Sequence, residues 1–140
     1  MRDWQRAVIT RLEDLLSPEQ VYEEGPPDED ALPMYPNRMV KPYVVVWFGQ
    51  RVSGGIGYDA LCGVRESAHV SMFITQVVAA TGEVCNDVSV VVADHLLGFR
   101  PADQGELRED SAPTIRQPLD VSGVNSRYQR PIAFSGTVDL

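Results

Sequence analysis

Residues 41–50 read Lys-Pro-Tyr-Val-Val-Val-Trp-Phe-Gly-Gln, a run of β-branched and aromatic residues entered through Pro42 and left through Gly49. Side chains of this kind fit a pleated, buried surface, so the run is a strand. Alternation puts Tyr43, Val45 and Trp47 on one face and Val44, Val46 and Phe48 on the other. Both faces are apolar, and we expect a strand at the centre of a sheet, covered on both sides.

Working outward, Ala68 to Val78 alternates, with Val70, Met72, Ile74 and Val78 on one face and His69, Ser71, Phe73, Thr75 and Val77 on the other. It reads as a second strand paired with the first. The connection from Arg51 to Ser67 is oversized, since hairpin loops run roughly 2–5 residues, and a loop that long usually has a job. Gly54, Gly55 and Gly57 follow a strand as they would in a nucleotide loop. No Gly-Lys-Ser/Thr follows, and the next regular segment is a strand instead of the helix whose N-terminus would hold phosphate.

On the N-terminal side, Trp4, Val8, Leu12, Leu15 and Leu16 recur at helical spacing, which predicts an amphipathic helix from Asp3 to Leu16. Asp3 suits the N-cap, and Ser17-Pro18 ends the helix, because the residue before a proline is pushed out of the α region. Gln20 to Tyr22 suits a short strand. Residues 23–30 carry five carboxylates, a glycine and two prolines, and read as a solvated loop that buries nothing. They lack the Asp-x-Asp-x-Asp-Gly order of a calcium loop. Residues 32–42, with Pro33, Pro36 and Pro42, read as an irregular approach to the strand.

Past the second strand, Thr81-Gly82 is a break, and Glu83 to Leu97 places Val84, Cys85, Val88, Val91, Val92, His95 and Leu96 on one stripe. Gly98 follows as a helix-ending residue, so length and capping favour a helix although the run from Val88 to Val92 has strand propensity. Residues 99–125 are polar and rich in turn formers, with a short strand expected within 114–121. Tyr128 to Leu140 closes the chain as a half-buried strand, with Ile132, Phe134, Val138 and Leu140 on one face; Pro131 prefers its start or edge.

A chain of 140 residues fits one domain spanning 1–140. Its 20 acidic and 12 basic residues give a net charge of −8, the wrong sign for a ligand held by its phosphate backbone. No apolar run approaches the ~20 residues of a membrane-spanning helix, and we expect a soluble protein made in the cytosol. In that compartment Cys62 and Cys85 are expected as free thiols. Cys62, His69, Cys85 and His95 have no metal-ligand spacing, and neither cysteine sits in a nucleophile context, so no metal, cofactor or catalytic residue is predicted.

Composition and periodicity by themselves spell out an α/β domain. The Arg-Leu-Glu-Asp-Leu-Leu helix of residues 11–16, the strand from Pro42 to Phe48, the helix from Val84 to Leu97 and the strand from Arg130 to Val138 together resemble the tail terminator proteins of bacteriophages with long, flexible, noncontractile tails. The resemblance covers nearly the whole chain. It implies an α/β (α+β) subunit with a small mixed, largely antiparallel sheet flanked by two main helices and a long hairpin loop, and a structural virion protein, not an enzyme. Its subunits form a hexameric ring that caps the tail tube, ends polymerisation and presents a docking face to a head-completion or neck connector protein. The ring would be assembled in the host cytoplasm and sit at the head–tail junction, with DNA passing through its lumen without specific binding.

For the interfaces of such a ring the candidates are Arg51, Gly54, Gly55, Tyr58 and Arg65 of the long loop, Asp28, Glu29 and Asp30 of the acidic loop, and Arg100. Charge pairing of Arg51 and Arg65 with a neighbour's Asp28, Glu29 and Asp30 would fix the rotation at which a ring closes. Net acidity suits a channel through which DNA passes without sticking. The alternatives are another head–tail connector or neck protein, and a small-molecule-binding or enzymatic domain using the glycine loop.

Overall fold

The computed structural model describes residues 2–28, 31–49, 52–53, 68–109, 117–118 and 127–139. In chain order these form α1 (Arg2–Leu15), a 3-10 turn (Pro18–Gln20), β1 (Val21–Glu23), β2 (Tyr43–Phe48), β3 (Val52–Ser53), β4 (Ala68–Ala79) and α2 (Gly82–Leu96). A second 3-10 turn (Pro101–Asp103), β5 (Arg108–Glu109), β6 (Gln117–Pro118) and β7 (Tyr128–Asp139) follow. The sheet runs β1-β2-β4-β7-β5, with β3 beside β4 and β6 beside β7. β1 is parallel to β2 and the other pairings are antiparallel, so the expected mixed, largely antiparallel α+β sheet is the fold.

The middle strand is β4, not β2. β4 and β7 pair along their full length, from Ala68↔Asp139 to Ala79↔Tyr128, whereas β1 lines β2 only from Val44 to Val46. β2 is therefore interior but one strand from the edge. Glu24, expected in a loop that buries nothing, extends this edge: its N–H donates to Val46 O at 2.8 Å, and its Oε1 accepts from Phe48 N at 2.9 Å. A side-chain carboxylate thus takes the next rung of the ladder and blunts the edge.

α1 and α2, the α-helices among the described residues, lie on one face, here called inner. Cross-strand register stacks Val46 with Thr75 and Ile132, and Phe48 with Phe73 and Phe134, on that side. Onto these rows α1 lowers Trp4, Val8 and Leu12, all buried as their spacing requires. Trp4 meets Phe73 edge-on with centroids 5.8 Å apart, and Phe73 stacks on Phe134 at 5.4 Å. Asp3, expected as the N-cap, lies inside the first turn of α1, where its charge still favours the positive end of the helix.

α2 is a helix despite its valines, because Thr81 accepts from Val84 N at 3.2 Å and Gly98 takes φ 80° just beyond the last turn. Its buried stripe is narrower than expected and shifted. Cys85, Ser89, Val92 and Leu96 are buried, while Val84 and Val91 are exposed. A helix packing on a single layer buries a limited arc, and Ser89 enters that arc because its hydroxyl donates to Cys85 O at 2.6 Å. Cys85 is buried, its thiol donating to Val77 O at 3.5 Å; Cys62 lies outside the described residues. The two helices are stapled together, Arg11 Nε donating to His95 O at 3.2 Å while His95 Nε2 pairs with Arg11 O at 3.1 Å.

Pro131, expected at the start or edge of its strand, sits inside β7 opposite Gln76. On the far side of β7, β6 pairs with Tyr128 and Gln129 and β5 with Phe134 and Ser135, so the proline falls between two short partners. Its missing N–H therefore breaks no rung with either of them. Gly105 donates to Thr137 O at 2.9 Å, and a Cβ there would stand 3.0 Å from that oxygen, so close approach requires the glycine. Of residues 114–121, Gln117 and Pro118 are the strand β6 and the rest lie outside the described residues, as does Leu140.

Candidate functional site

The outer face of the sheet carries the set of side chains that alternation turns away from the helices. Register aligns them in rows: Tyr43 with Val78 and Gln129, Val45 with Gln76 and Pro131, Trp47 with Ile74 and Ala133, Met72 with Ser135, and Val70 with Thr137. None of these residues is charged, and a basic residue enters at the margin, where Arg108 of β5 stands opposite Ser135 and continues the Met72 row.

Its two halves differ. At the Tyr43 end, residues 31–42 arch over the sheet and lay Leu32 and Val40 on Tyr43, Val45 and Val78, forming a second small core. This stretch, expected as an irregular approach, is a short arch pinned by a bridge between Met34 and Val40 and by Lys41 N donating to Pro33 O at 2.8 Å. Tyr22 borders it and meets Tyr43 edge-on at 5.6 Å. Burial first, and then the neighbouring Glu19 carboxylate, raise the Tyr22 phenol above its ordinary value.

At the other end nothing among the described residues covers Trp47, Met72 and Ile74, which are 38%, 39% and 43% exposed. They line an apolar groove of about 280 Å³ together with Phe48, Gly49, Phe73 and Ala133. Trp47 is nonetheless held in place. Its indole N–H donates to Gln76 Oε1 at 3.2 Å, and Gln76 Nε2 in turn reaches Gln129 Oε1. An exposed aromatic ring fixed in one orientation loses little freedom when a partner covers it.

The sequence reading expected Trp47 to be covered. α1 and α2 cover one face of the sheet, and among the described residues only the arch of residues 31–42 covers part of the other, which leaves the Trp47 end of β2 and the Met72 and Ile74 side of β4. That shortfall was the available signal, and it points to these residues. Of the predicted interface residues, Asp28 is exposed and its carbonyl closes a turn with Ala31 N at 2.9 Å. Arg100 is exposed too, but its guanidinium ties down its own turn, Nε donating to Gln104 O at 2.8 Å and one terminal nitrogen reaching Asp103 O at 3.5 Å. That turn holds Ala102 and Asp103 at φ 52° and 59°, so Arg100 has a local structural task. Arg51, Gly54, Gly55, Tyr58, Arg65, Glu29 and Asp30 lie outside the described residues.

No protein-family model matches this chain, and no curated protein matches it at a significant level.

Proposed function

We propose that this chain is a structural subunit of the tail-terminator kind. Copies join in a ring, hexameric by the resemblance, that seats on the end of a phage tail tube, stops its growth and offers the opposite side to a neck or head-completion protein. The work is steric and associative, and no bond is made or broken. The site is the head–tail junction of the virion, where the net charge of −8 suits a passage for DNA that must not bind it.

The observation that supports this reading is the open half of the outer sheet face. Interface cores are depleted of charge and enriched in Trp and Met, and Trp is the residue most often found to dominate binding energy. An apolar patch built on Trp47, Met72 and Ile74, in a chain of net charge −8, fits a protein partner.

A growth assay tests the activity. Tail tube protein polymerised with this chain present is expected to give capped tubes, shorter as the ratio of chain to tube protein rises, with a ring visible at one end by negative-stain microscopy. Tubes whose length is independent of the chain would refute the terminator role. A chain that binds a neck or portal-side protein and leaves tubes alone would belong with the other connectors.

A further inference from the structure

The arch that closes one half of the outer face exposes a second apolar group at its tip. Met34, Tyr35 and Met39 are 36%, 46% and 43% exposed, although Leu32 and Val40 of the same segment are buried. The tip is a firm turn. Tyr35 N donates to Met39 O at 2.8 Å, Arg38 N donates to Tyr35 O at 2.9 Å, and Asn37 Oδ1 accepts from Met39 N at 3.1 Å. Arg38 stands at its apex with φ 67°, and the Lys41 ammonium lies 5.6 Å from the centre of the Tyr35 ring. Apolar side chains held out on a hydrogen-bonded turn form a knob.

Resting on the ring reading above, we infer that the knob of one copy seats in the groove of the next, Tyr35 and Met39 covering Trp47, Met72 and Ile74 of the neighbour. Within a single copy, Leu32 and Val40 already show how this segment covers this sheet face: by laying apolar side chains across the β2 and β4 rows. The open half presents the same two strands one step further along, with no cover among the described residues. Methionine and tyrosine suit the task, since an unbranched thioether adapts to an irregular groove and an aromatic ring brings large apolar area with few rotatable bonds. Arg38 is exposed at the tip, with the sign opposite to the net charge of −8 of the copy it would meet, while Lys41 is held by Glu19 of its own copy at 3.5 Å.

The contact is heterologous, because knob and groove are different surfaces of one chain. Such a contact propagates from copy to copy and closes into a ring when the rotation allows it. A standard interface buries about 800 Å² per partner, more than these side chains supply, so knob and groove are the centre of the contact and polar neighbours its rim.

Two exposed substitutions separate the surfaces: Ile74→Glu puts a charge in the groove, and Met39→Glu puts one on the knob. Each protein is weighed by light scattering, with tail tube protein present where the wild type requires it, and urea unfolding checks that each is folded. Alone, each is expected to lose the ring. Mixed, they are expected to form a one-to-one pair that grows no further, since the intact knob of the Ile74→Glu copy fits the intact groove of the Met39→Glu copy. Rings that survive Met39→Glu, or a mixture that stays monomeric, would overturn the knob-in-groove contact and leave the ring itself standing. A wild type that is monomeric both alone and with tube protein would overturn the contact and the ring reading together.

Discussion

The two halves of the outer sheet face are built from the same strands and the same residue types, yet one is a core and the other a surface. Val45 and Val78 are 0% and 1% exposed under Leu32 and Val40, while Trp47 and Ile74, two residues further along β2 and four back along β4, are 38% and 43% exposed. Nothing in β2 or β4 themselves makes the difference. It is the arch of residues 31–42, which reaches only part of the way. The contrast teaches that strand composition records what a face will finally touch, including contacts made with another molecule, and that an uncovered apolar half-face is an incomplete core.

The sharpest way to break the comparison is within β4, where neighbours point to opposite sides. Phe73→Ala removes a ring packed by Trp4, Phe48 and Phe134 and is expected to destabilise the monomer by about 3–5 kcal/mol, read as a large drop in the urea midpoint. Ile74→Ser, one residue on, is expected to change monomer stability by no more than ~0.5 kcal/mol, as surface substitutions usually do. Equal losses at the two positions would mean that the open half is covered within the monomer.

A smaller effect probes the arch. Leu32→Ala is expected to cost about 2–3 kcal/mol, at the low end for a buried leucine because its cavity opens beside solvent, and to uncover Tyr43 and Val45. If the arch is what separates the halves, this variant binds a hydrophobic dye more strongly than the wild type while its helical circular dichroism is unchanged. A variant with no loss of stability and no extra dye binding would show that the closed half does not depend on its cover.

Much of this architecture was legible in the chain. The spacing of Trp4, Val8 and Leu12 gave α1 its buried stripe, and the break at Thr81-Gly82 with Gly98 beyond marked the limits of α2 closely enough to outvote its valines. What period-2 alternation could not tell was which side of β4 faces the helices. Val70, Met72 and Ile74 look the better core, yet the buried side is Ser71, Phe73, Thr75 and Val77, where Thr75 hides its hydroxyl by donating to Ile132 O at 3.2 Å. A buried hydroxyl with a carbonyl in reach costs little, and that carbonyl belongs to a strand 57 residues away. The candidate site was missed for a related reason. Charge and glycine drew attention to loops, whereas the open half-face is marked by the exposed apolar side chains of Trp47, Met72 and Ile74.

The most direct test of the central claim, that the open half-face is an association surface, is the mass in solution of the wild type and of Ile74→Glu across the same concentration range. The account predicts rings for the wild type, alone or on tail tube protein, and a folded monomer for Ile74→Glu under identical conditions. Rings of undiminished stability in Ile74→Glu would contradict it, and would move the assembly surface away from the sheet.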